Sequence, residues 1–280
     1  MDKADLHIHS NYSDGSDSIE ELLKNITQNE IKIFALTDHD TIDGCKEMLK
    51  RLNQNIKFIP SIELTCDLEN VKCHILGYNC DIYNPELNSL IEKGRVLRKN
   101  KLETRIKYLE EKWGIILTPE ESEWLHTRNS VVKTHLANIL VNRGLGNNNV
   151  EVMKKYLDGC KTPNSRFDGK EAIRSILSAG GIPVWAHPLG GEGEEHISQD
   201  LFFKRFEVMK RNGILGLECH YSRYNEKEIK FLITVAKENK LYISGGSDYH
   251  GTNKDINLCR LNTNNVEIDA NQLSILEKIL

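Results

Sequence analysis

Apolar positions along the chain follow two periods. Ala4–Ile8, Lys32–Thr37, Lys57–Thr65 and Lys72–Tyr78 have the length and apolar density of buried strands. Between them, apolar residues recur at helical spacing. Ser18–Gln28 sets Ile19, Leu22, Leu23 and Ile26 on one face, and Thr41–Leu52 reads as a second helix. Such alternation predicts an α/β fold. At Pro85 the pattern changes to charged, helical sequence that runs to about Tyr156. Pro85–Trp113 carries Leu87, Leu90, Ile91, Leu97, Ile106, Leu109 and Trp113 at near-helical spacing. Thr118-Pro119-Glu120-Glu121 has the form of a capping box with proline at the first helical position. Val131–Arg143 is a further helix, stopped by Gly144. Alternation resumes at Asp168. Gly169–Ala179, Phe202–Asn212 and Glu226–Asn239 are expected helices; Ile182–Ala186, Leu215–Cys219 and Tyr242–Ser244 are expected strands. The predicted organisation is an α/β domain built from residues 1–84 and 157–280, interrupted by an all-helical insertion, or lid, at 85–156.

Length and charge narrow this picture. A chain of 280 residues suits two domains, or one barrel with an insertion. Its net charge of -4, from 37 basic and 41 acidic residues, argues against a surface that coats polyanions. Long nucleic acid is therefore not an expected partner, because the acidic chain offers no obvious basic track. No apolar run approaches the ~20 residues of a membrane span, so no membrane partner is expected. The stretch Met1-Asp2-Lys3-Ala4-Asp5 lacks the apolar core of a signal peptide. The seven cysteines form no C-x-x-C pair, and reduced thiols in a cytoplasmic protein are the simplest expectation. Oligomeric state is not legible in the pattern.

The ten histidines carry the chemistry. His7 and His9 stand at i and i+2 near the end of the first strand, so both imidazoles face one side. Thr37-Asp38-His39-Asp40 ends the second strand. Glu63 lies late in the third, His74 in the fourth, His187 just after Ile182–Ala186, and Asp248-Tyr249-His250 after the last clear strand. Taken singly, a strand histidine is more often a satisfied core residue than a ligand. Repeated placement of histidines and carboxylates at strand ends is hard to explain as packing, since buried and unpaired they carry a heavy desolvation cost. Parallel barrels build active sites at that face, and cations give such groups a purpose.

These motifs together resemble the polymerase-and-histidinol-phosphatase (PHP) family of metal-dependent phosphoesterases. Those that match are Asp5-Leu6-His7-Ile8-His9-Ser10 with Ser13-Asp14-Gly15, Thr37-Asp38-His39-Asp40, Ile62-Glu63, His74-Ile75-Leu76-Gly77-Tyr78, Ala186-His187-Pro188 and Gly246-Ser247-Asp248-Tyr249-His250. They run in family order across most of the chain. The resemblance implies a distorted (β/α)7 barrel holding two or three divalent metal ions. It implies one ion on His7, His9, Glu63 and Asp248, and a second that shares Glu63 and adds His74 and His187. A third would take Asp14, His39 and His250. Asp14 stands where some relatives have histidine, and the mixed nitrogen and oxygen donors suit Mn²⁺, Fe²⁺ or Zn²⁺.

The insertion also has a counterpart in the resemblance. Small-molecule phosphoesterases of the family carry a Gly-Arg-Pro-His segment there; here it reads Val132-Lys133-Thr134-His135. Lys133 and His135 are thus candidates for phosphate binding, although lysine lacks arginine's bidentate fork, and a solvated helix lysine is the plainer alternative. Leu217-Glu218-Cys219-His220-Tyr221-Ser222-Arg223 follows a strand. Arg223 is a candidate phosphate clamp and His220 a candidate catalytic acid. His126 and His196 match no motif and read as surface residues. The loop Gly190-Gly191-Glu192-Gly193 is expected to be flexible, and it lacks the Gly-Lys-Ser/Thr ending of a P-loop.

The expected reaction is hydrolysis of a small phosphate ester. Clustered cations lower the pKa of a shared water, and the resulting hydroxide attacks phosphorus in line. A pocket roofed by an insertion suits a small substrate. The resemblance implies a ribose-based bisphosphate such as a nucleoside 3',5'-bisphosphate, losing its 3'-phosphate. Cyclic ribose phosphate, histidinol phosphate and a non-catalytic metal-binding module are the alternatives.

Overall fold

The computed structural model describes residues 2–52, 56–128, 130–191, 195–261 and 263–280. The first half alternates β1 (Lys3–Ile8), α1 (Ile19–Gln28), β2 (Ile31–Leu36), α2 (Asp43–Leu49), β3 (Lys57–Leu68) and β4 (Val71–Tyr78). A helical stretch follows, with α3 (Pro85–Trp113), α4 (Pro119–His126), α5 (Lys133–Asn142), α6 (Asn149–Val152) and a π-helical turn (Met153–Leu157). The second half contributes β5 (Phe167–Asp168), α7 (Gly169–Ser178), β6 (Ile182–Trp185), α8 (Gln199–Arg211), β7 (Gly216–Tyr221), α9 (Glu226–Glu238) and β8 (Tyr242–Gly246). The short strands β9 (Arg260–Leu261) and β10 (Val266–Glu267), then α10 (Leu276–Ile279), end the chain. Among the described residues no helix is long and apolar enough to cross a membrane.

Capping chemistry starts the helices where the sequence places it. Ser18 and Glu21 form a capping box on α1, and Thr118 and Glu121 form one on α4. Asn84 caps α3 ahead of Pro85, and Gly114 ends that helix with φ of 64°. Ile19, Leu22 and Ile26 of α1 are buried, as their spacing predicts.

The main sheet has the order β1-β2-β3-β4-β6-β7-β8, with β5 paired to β3. Its ladders are parallel except those made by β4, which runs antiparallel to β3 and to β6. The reversal has a local cause. Glu69 and Asn70, with φ of 52° and 67°, connect β3 to β4. Two successive residues at positive φ make the tight hairpin turn that suits twisted antiparallel strands. The strand path is open, so the ladders alone do not close the expected (β/α)7 barrel. β1 and β8 share no ladder; Ile8 of β1 makes one parallel bridge to Tyr249, in the loop after β8. Asp248 N donates to His7 O (2.8 Å) and His9 N to Tyr249 O (2.9 Å) beside it. Gly246 permits this approach, since a Cβ there would collide with the His7 backbone.

Apolar side chains gather in two clusters. The larger fills the space between the sheet and its helices, with Leu6, Phe34, Ile62, Phe202 and Leu232 among its members. The smaller comprises Leu102, Leu109, Leu125, Leu136, Leu140, Tyr156 and their neighbours, all between residues 102 and 157. Helix α3 reaches both: Leu87, Leu90 and Ile91 lie in the first, Leu102 and Leu109 in the second.

Candidate metal centre and active site

The strand ends and the loops after them bring six imidazoles and three carboxylates to one place. Glu63, 1% exposed, stands at the centre. Its Oε2 lies 3.2 Å from each of His7 Nε2, His9 Nε2 and His39 Nδ1. Its Oε1 lies 3.0 Å from His74 Nδ1 and 3.1 Å from His187 Nε2. Asp248 Oδ1 is 3.4 Å from His7 Nε2 and 3.3 Å from His9 Nε2. Asp14 Oδ1 is 3.2 Å from His250 Nε2 and 3.7 Å from His9 Nδ1.

Three sets of donor atoms lie close enough to share an ion: His7, His9, Glu63 and Asp248; His39, Glu63 and His74; and His9, Asp14, His39 and His250. His187 joins the second set through Glu63 and through His74 Nδ1, 3.3 Å from its Nε2. His74 reaches the others by an unexpected route. It lies in the first half of the reversed strand β4, opposite Thr65, so the antiparallel pairing returns it to the end of the sheet that carries Glu63.

The electrostatics fit divalent cations. Burial alone would raise the carboxyls of Glu63, Asp14 and Asp248. Instead the imidazoles around the first two, and Lys254 with His7 and His250 beside the third, hold all three well below the usual carboxylate range. Conversely, burial drives the His39 and His250 imidazoles below their ordinary value, toward the neutral form that offers a lone pair. His9 Nε2, His39 Nδ1, His250 Nε2 and Asp14 Oδ1 are buried and make no well-aligned hydrogen bond, although opposite charges lie 3.2 Å away. Unpaired buried acceptors are costly, and a cation among them would remove that cost.

A second set of side chains holds these groups in place. Glu218, fully buried on β7, was not anticipated from the sequence. Its Oε1 lies 2.7 Å from His7 Nδ1, and its Oε2 accepts from His187 N at 2.7 Å. A carboxylate behind a histidine fixes the ring's tautomer and orientation. His187 has φ of 30° and Asp248 φ of 60°. Their backbone N–H bonds, to Glu218 and to His7 O, support these unusual conformations. Asp38 accepts from Ser10 N, Ser10 Oγ and Ser13 Oγ at 2.7–2.8 Å, which fixes the loop that carries Asp14. Tyr221 OH and Lys254 Nζ both donate to Asp248 Oδ2 at 2.9 Å.

The expected substrate residues are less uniformly placed. Lys133 opens α5 and pairs with Asp158. His135 is buried, and burial lowers its imidazole to about 4. Val132 N donates to His135 Nδ1, which turns the ring back onto the start of α5. Arg223 Nη1 donates to Gly191 O at 2.8 Å. Gly191 in turn lies against the His187 ring. The neighbouring Glu192 and Gly193 lie outside the described residues. His220 is buried, with Nε2 unpartnered and its imidazole lowered to about 4 by burial alone. A bulge between Glu218 and His220 breaks the strand's alternation. Glu218 and Tyr221 reach the cluster, and His220 packs against Gly245 instead. His220 Nε2 thus makes no hydrogen bond to the cluster. His126 pairs with Glu103 and His196 with Glu228, both away from the cluster.

Further cationic side chains, from α3 and from the stretch before β5, gather near the cluster. Arg98 is buried, pairs with Asp40 and donates to Thr65 Oγ1 at 3.1 Å. Burial lowers it to about 10. Lys101, one turn on, is lowered to about 8, first by burial and then by the positive charges of Arg105, Arg98, Arg166 and Lys133. Arg166 also lines a cavity of about 130 Å³ together with Lys72, His74, His187 and Arg205. The basic residues at 98, 101 and 105 share one helix face, an i, i+3, i+7 signal that the sequence contained.

The PHP domain family model matches residues 5–159. A 5'-3' exoribonuclease of Haemophilus influenzae is 31% identical over 252 residues, covering 89% of this chain and 90% of the relative. A 3',5'-nucleoside bisphosphate phosphatase of Chromobacterium violaceum is 26% identical over 258 residues, covering 89% and 88%. The crystal structure of a protein from Bifidobacterium adolescentis has a TM-score of 0.82 at 22% identity, covering 99% of this chain and 95% of that one, and shares the fold.

Proposed function

The chain belongs to the PHP domain family and is a metal-dependent phosphoester hydrolase; from that premise we propose that it cleaves the 3'-phosphoester of a ribonucleotide that carries a 5'-phosphate. A nucleoside 3',5'-bisphosphate is the smallest such substrate, and the 3'-phosphate is the group released. The observation that carries this reading is the meeting of two kinds of site. His74 and His187 share one cavity with Arg166 and Arg205, and Arg166 adjoins the basic set on α3. A molecule with two phosphates suits such a pair. The two relatives, one named for RNA and one for a nucleoside bisphosphate, have a ribonucleotide in common.

In this reading His7, His9, Glu63 and Asp248 hold one divalent ion. Glu63, His74 and His187, with His39 alongside, hold a second, and Asp14, His39 and His250, with His9 alongside, a third. When bound, such ions supply Lewis acidity and lower the pKa of water. Glu63 offers both carboxylate oxygens between two sets. Glu218 keeps His7 and the His187 backbone in register. Arg166 and Arg205 offset charge on the phosphoryl oxygens, and Arg98, Lys101 and Arg105 receive the second phosphate. We also read the contact of β1 with β8 as closing a distorted barrel, and residues 85–156 as a separate helical unit with its own core.

A second reading, removal of nucleotides from a 5'-phosphorylated oligoribonucleotide, is favoured by the exoribonuclease relative. The acidic net charge had spoken against nucleic acid, yet it averages over this local basic set. A phosphate-release screen with Mn²⁺, Fe²⁺ and Zn²⁺ tests both readings. Adenosine 3',5'-bisphosphate should release phosphate and a 5'-phosphorylated oligoribonucleotide should shorten, both abolished by chelator. Turnover of cyclic ribose phosphate or histidinol phosphate, with neither nucleotide consumed, would overturn the ribonucleotide assignment.

A further inference from the structure

A cavity of about 600 Å³ lies where the helical stretch faces the loops after β1 and β8. It is walled by Trp124 of α4, Arg128 beyond it, Asn138 and Asn142 of α5, and Thr252 and Asn253 after β8. Its chemistry differs from the basic cavity beside His187. Trp124 is 36% exposed, and the Arg128 guanidinium lies over its ring at 4.3 Å from the centroid. Arg128 Nη1 is fixed by donation to Asn11 O at 2.9 Å. The remaining walls combine carboxamides and hydroxyls with the carboxylates of Glu120 and Glu121 and the apolar Ile139 and Val141.

This cavity adjoins the reacting centre. Asn253 Nδ2 donates to Asp14 O at 2.8 Å. His135, whose ring meets Trp124 edge-on at 5.5 Å, also lines the space. The histidine–carboxylate cluster thus meets the Trp124 cavity through Asp14 and the basic cavity through His74 and His187.

We propose that the Trp124–Arg128 cavity is a nucleobase site. Aromatic rings and guanidinium planes are the surfaces on which unpaired bases stack, and carboxamides match the donors and acceptors on base edges. A phosphate has no use for the indole, and a base has none for the Arg98–Lys101 set, so the two sides take the two ends of one nucleotide. The inference rests on the ribonucleotide reading above. It adds that the base itself is bound, and where.

Fluorescence titration with adenosine 5'-monophosphate, in the presence of Mn²⁺, provides the direct test. Trp124 is one of three tryptophans. Wild-type emission should be quenched on titration, and Trp124→Phe should remove the quench while still binding the nucleotide. In steady-state assays, KM for adenosine 3',5'-bisphosphate should rise about tenfold or more in Trp124→Ala. Phenylalanine at this position should restore most of that loss. The wild-type preference for the nucleotide over base-free ribose bisphosphate should fall toward unity in the alanine variant. A quench that survives in Trp124→Phe, or a wild-type enzyme that does not distinguish nucleotide from base-free sugar phosphate, overturns the base site. Absence of turnover on both substrates instead overturns the ribonucleotide reading, and the quench then decides the base site by itself.

Discussion

Glu218 and His220 show at single-residue scale why one half of the site is legible in sequence and the other is not. The ligand candidates announce themselves through repeated placement at strand ends: His7 with His9, His39, Glu63, His187 and Asp248 with His250. Glu218 has no such signature. Strand alternation puts Glu218 and His220 on the same face, and the titratable histidine draws attention first. The bulge between them breaks the alternation and leaves Glu218 behind His7. Replacing Glu218 with Gln keeps the volume and removes the charge that orients two candidate ligands. We expect divalent-metal affinity to fall by about 10–100-fold, with activity recovering at higher Mn²⁺. Metal titration of the purified variant gives the number, and unchanged affinity would reduce Glu218 to a packing role.

Helix and strand boundaries were predictable where local chemistry sets them. Helix α3 spans Pro85–Trp113 as expected, and the Thr118 capping box opens α4 where its spacing places it. What the pattern could not supply was direction. An apolar run has no polarity, so the reversal of β4 became visible only through the positive-φ pair Glu69 and Asn70. Similarly, α3 looked like a charged lid helix, and its basic face had no assigned use until Arg98 was found beside Asp40 and Thr65. Lys101 lies on that face, partly buried among other cations. Lys101→Ala should raise KM for adenosine 3',5'-bisphosphate about tenfold, the scale of one charge-assisted hydrogen bond, with metal content normal. Kinetics paired with metal analysis separates this from loss of the metal centre. An unaltered KM would move the second phosphate elsewhere.

Viewed whole, the molecule joins its two ends at the reacting centre. His7 comes from β1 and His9 follows it, Asp248 and His250 come from the loop after β8, and the two edges meet without a ladder, at one bridge between Ile8 and Tyr249 and where Gly246 and Ser247 approach His7 and Asp5. The α/β class could be read from the sequence; this seam could not, because strand order is a long-range property. Bound cations would hold the seam together. A site about a thousandfold saturated adds about 4 kcal/mol, and at about 2–4 °C per kcal/mol for a large domain, chelation should lower Tm by roughly 10 °C. Differential scanning calorimetry with and without chelator checks this, and hydrogen exchange should speed up first at β1 and the Asp248 loop. The seam also matters during synthesis. Six candidate ligands, from His7 to His74, emerge before the helical stretch; His187 follows His74 by 113 residues, and Asp248 and His250 come later still. At about 5–20 residues per second, the ribosome holds an incomplete ligand set for roughly 10 s or more. A nascent chain can offer a passing ion only part of the coordination it will later give, so choice of metal belongs to the finished protein rather than to the first ion encountered.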